Sequence, residues 1–256
     1  MINREYERKK DLLLLLTKKE ITLRYKRTVL GVLWSLLNPI LFAIVFFVAF
    51  KIFLRVHLKN YTFFFLSALF PWTWFSASAT MSVGTLVANV NLIKKIRFPR
   101  YFLVIATNLG QLVNFLFSIP IMVGFACFYG NGPGISWLLA VPLLIVIQFV
   151  ATTGICLAIS MMNAHFRDME YIIGVVISLL FWMTPVMYPL ETVPEAYRVF
   201  FLFNPLAYLI SAWRDLFMSN IIDWGSIGIS SGSALLFFFL GLFVFQRLGK
   251  KLDEVL

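Results

Sequence analysis

The histidines and carboxylates, which carry most enzyme chemistry, are few and scattered in this sequence. His57 and His165 lie far apart, and no metal-ligand spacing appears. None of the acids between the apolar segments shows the paired spacing of general acid–base catalysis; they are Asp168, Glu170, Glu191, Glu195, Asp215 and Asp223. No G-x-x-x-x-G-K-[ST] loop is present to bind a nucleotide. The sequence therefore predicts a chain without catalytic residues, cofactor or metal.

Long uncharged segments must position whatever function the chain has. Asp, Glu, Lys and Arg are all absent from residues 29–50, 61–83, 101–162 and 171–190. One hydrocarbon crossing needs about 20 apolar residues, and Gly130 to Gly134 divide the longest segment in two. The prediction is an all-α polytopic membrane protein with spans near 30–52, 61–84, 101–129, 137–162, 171–189 and 225–246. Barrel strands are excluded because the segments lack polar–apolar alternation.

The distribution of the 22 Lys and Arg residues predicts the orientation of these spans. Most lie before the first span, in the connector 89–100, at Arg167 and in the tail. On the other side lie Lys51, Arg55, Lys59, Arg198 and Arg214. By the positive-inside rule, both termini are expected in the cytoplasm. The net charge of +10 is then a topology signal, and nucleic-acid binding is a poor alternative.

The uncharged spans also limit how transport could be driven. Ion-coupled transporters carry acids or bases inside the membrane as proton or sodium relays. The predicted spans carry none, so any work has to be powered from outside this chain.

Three segments outside the spans have unusual composition. Residues 1–28 combine a leucine run with many basic side chains, which predicts an amphipathic helix at the membrane lipids of the cytoplasmic interface; a plain topology anchor is the alternative. The connector 89–100 contains four apolar residues, Leu92, Ile93, Ile96 and Phe98. They suit a short helix docked into another protein. The alternative is a loop whose basic side chains snorkel to the membrane surface.

Residues 190–220 are too apolar for an external loop and are interrupted at Asn204-Pro205, which predicts a re-entrant hairpin.

Aromatic side chains are abundant, with 28 Phe, 9 Tyr and 7 Trp. Those at span ends, such as Trp137 and Trp224, fit an interfacial aromatic belt. Those nearer mid-span either pack between helices or line a path for a polar polymer, because ring faces contact the C–H faces of sugars without fixing one register. The candidate channel residues are Trp34, Phe70, Trp72, Trp74, Phe75, Phe181 and Trp182.

An ordered set of motifs covers nearly the whole chain. It comprises Arg24-Tyr25-Lys26, Thr28 to Trp34, Asn38-Pro39, Leu69 to Phe75, Asn91 to Lys95, Phe98-Pro99-Arg100, Phe166-Arg167-Asp168, Thr184 to Pro189, Asn204-Pro205-Leu206 and Trp213 to Phe217. In this order the motifs resemble the membrane subunit of ABC-2 type polysaccharide exporters. That group covers the O-antigen, capsule and teichoic-acid permeases.

The resemblance implies a homodimeric permease and a separate ATPase. Each subunit would dock on an ATPase subunit that binds ATP and Mg²⁺, two per dimer, so this chain would not be an enzyme. The implied parts are a permease domain over 29–249, a coupling segment over 89–100, an external gate hairpin over 190–220 and a cytoplasmic tail over 250–256. The implied substrate is a polyprenyl-diphosphate-linked glycan, an O-antigen ahead of capsule or teichoic acid, moved across the cytoplasmic (inner) membrane.

Individual residues take their expected roles from the same resemblance. The cations for the lipid diphosphate at the cytoplasmic edge are Arg24, Lys26 and Arg27. Coupling to the ATPase is expected from Asn91, Lys94, Lys95, Arg97, Phe98, Arg100, Arg167 and Asp168. The external gate residues are Asn204, Pro205, Trp213, Arg214 and Asp215. For Arg167-Asp168 an ion pair that fixes the loop is the alternative, and for Arg214-Asp215 a structural pair is preferred to a substrate contact.

Two further functions remain open at this stage. A small-molecule ABC exporter could use the same subunit plan. A membrane-embedded glycolipid-modifying enzyme would need catalytic acids or a metal at the membrane face, and the scattered acids disfavour it.

Overall fold

Helices form all the regular secondary structure in the part of the chain that the computed structural model describes, residues 2–26, 28–31, 33–53, 60–130, 132–202, 204–250 and 252. The first helices are α1 (Ile2–Tyr25), α2 (Leu33–Phe47) with a π-helical continuation at Val48–Phe53, α3 (Tyr61–Val83), α4 (Thr85–Ala88) and α5 (Val90–Lys95). The remaining ones are α6 (Tyr101–Leu116), α7 (Ile119–Phe128), α8 (Ser136–His165), α9 (Met169–Met183), a 3₁₀ turn at Leu190–Thr192, α10 (Glu195–Leu202), α11 (Pro205–Ser219) and α12 (Trp224–Gly249).

Within the described ranges, three helical segments are long and apolar enough to cross a membrane. They are Tyr101–Phe128, formed by α6 and α7 in succession, Ser136–His165 and Trp224–Gly249. Helix α9 is apolar but has only 15 residues, fewer than the predicted span 171–189. It ends early because Thr184 is extended (φ −108°, ψ 134°) before Pro185, as proline disfavours helical geometry in the residue that precedes it.

Helix α3 lies at the centre of the bundle. It packs against α6, α8, α9 and α11, and most of its side chains are buried. Its serines, threonines and tryptophans make it less apolar than the other spans, which a helix surrounded by protein tolerates because its polar groups find partners there. The carbonyl of Pro71, for example, accepts a hydrogen bond from Gln148 Nε2 of α8 (2.8 Å).

Helices α8 and α12 form the most extensive helix–helix contact. A Cβ atom at Gly154 would meet the backbone of Phe237, and one at Gly241 would meet the backbone of Gly154. The missing side chains therefore allow the two backbones to touch, as small residues do at the interfaces of membrane helices.

Helix α1 covers a second, smaller cluster at the end of the bundle that carries α5. Leu16 is buried there beside Ile93 and Phe102, whereas Leu14 and Leu15 are exposed. The Lys19 ammonium also donates to Asn89 Oδ1 (2.5 Å). The predicted N-terminal helix thus rests on the chain through one leucine face and carries further leucines outward.

Candidate functional site: a groove between three helices

Helices α2, α3 and α6 enclose a partly open groove of about 510 Å³. Aromatic rings form much of its wall, from Trp34 and Phe42 on α2, Phe70 and Trp74 on α3 and Phe115 on α6. The rings of Trp74 and Phe115 stack with their centroids 5.1 Å apart. The groove therefore offers flat apolar faces from three different helices.

Uncharged polar groups lie between these rings. The groove is also lined by Asn38, Thr73, Gln111, Asn114 and Ser118. The Asn114 amide donates to Gln111 Oε1 (3.1 Å), which orients both amides in the wall. Each of the described residues that line the groove is uncharged.

A buried network holds the aromatic wall in place. Trp74 Nε1 and the Ser78 hydroxyl both donate to Asn108 Oδ1 (3.0 Å each). The Asn108 amide in turn donates to Thr153 Oγ1 (2.8 Å) and to the Phe149 carbonyl (3.2 Å) of α8. Because Asn108 of α6 is hydrogen-bonded to both α3 and α8, the network joins three helices and gives the indole of Trp74 one fixed orientation.

This arrangement suits a neutral polyhydroxylated ligand. Amide groups donate and accept hydrogen bonds, as sugar hydroxyls do, and aromatic faces cover apolar surface. A groove without charge has no strong electrostatic anchor, so a ligand is not fixed at one position. Within the described residues, no group of three or more His, Cys, Asp or Glu side chains could hold a metal ion.

The predicted channel aromatics do not form one continuous surface in the subunit. Trp34, Phe70 and Trp74 line the groove. Trp72 instead packs against Phe181 of α9, with ring centroids 5.6 Å apart. The two remaining residues lie elsewhere: Phe75 borders an apolar cavity next to α9 and α12, and Trp182 is 63% exposed.

The predicted coupling segment contains the short helix α5, and its apolar residues mostly face inward. Ile93 is buried, and Leu92 and Phe98 pack against the same cluster, while Ile96 is 54% exposed. Ile93 is therefore not available to another protein, and the half-buried Leu92 and Phe98 help to attach the segment to its own subunit. Docking of the segment on a partner stays a prediction. The residues left exposed for a partner are Asn91, Lys94, Lys95, Ile96 and Arg97, with Arg100 half-buried.

Arg167 and Asp168 lie in the turn between α8 and α9, and both are exposed. Neither side chain forms an ion pair or hydrogen bond with the described part of the chain, and Asp168 precedes α9 without capping it. The structure therefore does not contain the alternative, an ion pair of Arg167 and Asp168 that fixes this turn.

Of the cations predicted for the lipid diphosphate, Lys26 is exposed just after α1 ends. Arg27 and the side chain of Arg24 lie outside the described residues.

The predicted external gate residues lie on or just before α11, where Asn204, Trp213 and Arg214 are buried and Pro205 and Asp215 are half-buried. Asn204 caps this helix, accepting from Leu206 N (3.1 Å) and donating to Thr184 Oγ1 (3.1 Å), and Pro205 is its first residue. Trp213 is fully buried and donates to Gln148 Oε1 (2.7 Å).

Arg214 and Asp215 do not form the expected structural pair. The Arg214 guanidinium lies over the Phe64 ring, 3.9 Å from its centroid, and donates to the carbonyls of Pro185 and Val186. Adjacent residues on a helix do not face each other, so the arginine and the aspartate border the same cavity without pairing directly.

The sequence profile of the ABC-2 type transporter membrane family matches residues 11–218. The chain belongs to this family. It is thus a membrane protein and a component of an ABC transporter. The match includes α2, α3 and α6, whose side chains form the groove, and it ends within α11.

Several relatives of known name are similar to this ABC-2 family member over most of their length. An O-antigen export system permease protein RfbA of Klebsiella pneumoniae is 37% identical over 246 residues, which cover 96% of this chain and 95% of the relative. The RfbA protein of Myxococcus xanthus is 31% identical, covering 85% and 84%. The polysialic acid transport protein KpsM of Escherichia coli is 23% identical, covering 89% and 90%.

The amides of α6 that line or support the groove were not among the site residues predicted from sequence. Asn108, Gln111 and Asn114 recur every three residues in an otherwise apolar segment, which places them along one side of a helix. That spacing was a usable signal, since a buried amide needs partners. Nothing comparable marked Gln148, whose two partners come from distant parts of the chain.

Proposed function

We propose that this chain is the membrane subunit of an ATP-driven exporter that moves a polyprenyl-diphosphate-linked O-antigen across the cytoplasmic membrane. The observation that carries the proposal is the similarity to O-antigen export permeases over 96% of the chain. The uncharged groove of rings and amides supports it, because a long glycan must slide past its contacts. A capsule exporter is the second candidate, on the weaker similarity to the polysialic acid transport protein.

The transporter would contain two copies of this chain and two ATPase subunits. Each copy would span the membrane six times, through α2, α3, α6 with α7, α8, α9 and α12, with both termini in the cytoplasm. Helices α10 and α11 would re-enter from the external side as a gate. Acidic, basic and histidine residues on α8, α9 and α12 lie only in the terminal turns, at His165, Glu170 and Arg247, which leaves ATP and Mg²⁺ on the partner as the energy source.

The partner would act on the exposed basic side of the coupling segment. Lys94, Lys95 and Arg97 are close in sequence on or just after α5, and a docked ATPase would meet them together with the turn at Arg167-Asp168. Inward movement of α5 would reach α1 through the Lys19–Asn89 hydrogen bond. Helix α1 with Arg24, Lys26 and Arg27 would admit the lipid diphosphate at the cytoplasmic edge.

The direct test is purification of the tagged chain from its native membrane, followed by mass spectrometry of the proteins and lipids bound to it. The expected result is an ATPase in equal amount and a polyprenyl-linked glycan. A sample with the ATPase but only small apolar compounds would favour a small-molecule exporter. A sample without any ATPase would contradict the proposal.

A further inference from the structure

A second cavity lies at the end of the bundle opposite the coupling segment. It measures about 420 Å³ and is enclosed by α11, the stretch from Pro185 to Glu191 and the start of α12. Its size falls in the usual range of about 300 to 1,000 Å³ for ligand pockets. The groove between α2, α3 and α6 shares only helix α3 with it. We call this cavity the outer pocket.

Hydrogen-bonding groups without partners line the outer pocket. Tyr208, Ser211 and Asp215 project from α11, one turn of helix after another. All three are partly buried, yet their side chains make no hydrogen bond to the described residues. Partly buried polar groups normally find partners, so this row is suited to a ligand that both donates and accepts.

A buried arginine fixes one wall of the outer pocket. Arg214 is only 7% exposed, and its guanidinium is held by the Phe64 ring and by the carbonyls of Pro185 and Val186. Its Nε atom is buried without a hydrogen-bond partner. The charges of Asp215 and Glu191 act on this guanidinium, but its hydrogen bonds in the described part of the chain go to the two carbonyls.

The charge of the outer pocket is negative. Among the residues that the structure describes, the charged ones that line it are Glu191, Asp215, Asp223 and Arg214. Carboxylates accept hydrogen bonds from hydroxyl groups, and like charges repel. The pocket therefore favours a neutral hydroxyl-rich ligand over an anionic one. Rings of Phe64, Phe201 and Tyr208 add the apolar surface that the C–H faces of a sugar need.

We propose that the outer pocket binds a neutral sugar unit of the exported glycan after it has left the groove. This inference rests on the proposed function, because it takes the substrate to be a glycan. The carboxylate of Asp215 and the hydroxyls of Tyr208 and Ser211 bind the sugar hydroxyls, and the aromatic rings contact its apolar face. The pocket thereby selects neutral over acidic sugars at the exit.

Photo-crosslinking in the native host, with the complete transporter, tests the proposal. Benzoylphenylalanine replaces one aromatic residue at a time: Trp34 in the groove, Tyr208 in the outer pocket and Tyr197, which is 60% exposed on α10 and does not line the pocket. After illumination, the purified chain is probed for attached glycan. The expected result is crosslinking at positions 34 and 208 and little at position 197.

Two substitutions are made in the strain that carries benzoylphenylalanine at position 208, to test whether the polar groups of the outer pocket bind the sugar. Asp215→Asn removes an acceptor charge and should lower the crosslinking yield about tenfold, as expected for a hydrogen bond to a charged group. Ser211→Ala should lower the crosslinking yield by a smaller factor. Because this variant keeps the charge of Asp215, it still tests the pocket if Asp215→Asn fails to fold. Glu195→Gln removes a charge from exposed α10 outside the pocket and is the matched control, expected to leave the yield unchanged.

The possible outcomes separate the two proposals. Crosslinking at position 34 alone would overturn the outer pocket and leave the exporter function intact. Crosslinking at neither position 34 nor 208 would contradict the glycan substrate itself. Equal crosslinking yields at positions 208 and 197, unaffected by Asp215→Asn, would mean that the glycan passes the outer pocket without binding there, which would overturn the proposal. Loss of the signal at position 208 alone with a chelator, with the signal at position 34 retained, would show that the acids hold a cation, which would also overturn direct sugar binding.

Discussion

Helices α3 and α9 are both uncharged apart from Glu170 in the first turn of α9, yet they lie in opposite environments. Most of α3 is buried among four other helices. In α9 only Met169 is buried, and Tyr171, Val175 and Trp182 are each at least 60% exposed. An uncharged segment is compatible with a lipid-facing surface, a subunit interface or a protein interior, and only the surrounding helices decide which.

The difference also divides the tryptophans by role. A tryptophan that packs in the interior contributes mainly to folding, and its indole N–H needs a partner. One on an exposed helix face contributes little until lipid or a second copy of the chain covers it. Substitutions in the two classes should therefore affect different measurements.

The largest effect is expected at Trp213. Trp213→Ala removes a fully buried ring and leaves Gln148 without its donor, which should lower the free energy of unfolding by about 3–5 kcal/mol. Trp182→Ala on α9 should change it by less than about 0.5 kcal/mol. Denaturant unfolding of the purified chain in detergent measures both. Equal losses would show that α9 is also buried in the purified protein.

A smaller loss of stability is expected from a substitution where α8 and α12 touch. Gly154→Val places atoms against the backbone of Phe237, and such overpacking typically costs about 1–3 kcal/mol. Gly174→Val on α9 is the matched control, because no atom lies within 4 Å of its added Cβ. The midpoint of thermal unfolding should fall for the first variant and stay nearly constant for the second. An unchanged midpoint for both would contradict the close contact.

Charge reversal on the coupling segment should leave folding almost unaffected. Lys94, Lys95 and Arg97 are exposed, so replacing all three by Glu should change the free energy of unfolding by less than about 0.5 kcal/mol per site. Export should nevertheless stop while ATP hydrolysis continues, because the partner no longer moves the segment. Glycan surface display and ATPase activity measure the two effects. Unchanged export would count against the coupling role.

The smallest effect concerns the loop before α12. Asp223 caps that helix through Gly225 N (3.0 Å) and Ser226 Oγ (2.6 Å), and the Ser226 hydrogen bond lowers the pKa of its carboxyl. A lowered pKa in the folded state stabilises the protein above the unfolded value of about 3.9, and this contribution is lost as the pH falls through the folded value. Asp223→Asn should therefore lower the melting temperature slightly at pH 7, with the difference disappearing in acid. A constant difference would exclude the charge as its cause.

The sequence predicted the positions of the helices well because charge and turn residues are local signals. The break at Asn204-Pro205 and the end of α3 near Gly84 lie where the pattern put them. The early end of α9 was missed, although Pro185 signalled it.

The direction in which each side chain points was harder to predict, because it depends on residues that are distant in the chain. Trp72 and Trp74 are two positions apart, but one packs against Phe181 and the other lines the groove. The inward direction of Leu92 and Ile93 likewise depends on α1 and α6, which supply the cluster they join. A pattern of apolar residues indicates that a face is covered, without indicating by which chain.

The contact between Gly154 and Gly241 has a mechanical consequence. These glycines let two helices of 30 and 26 residues meet at their backbones. Packed interiors deform little and shift between discrete arrangements, so we expect α8 and α12 to move as one rigid unit along the length of the subunit. When a transport path opens, the other helices then have to change position relative to this pair.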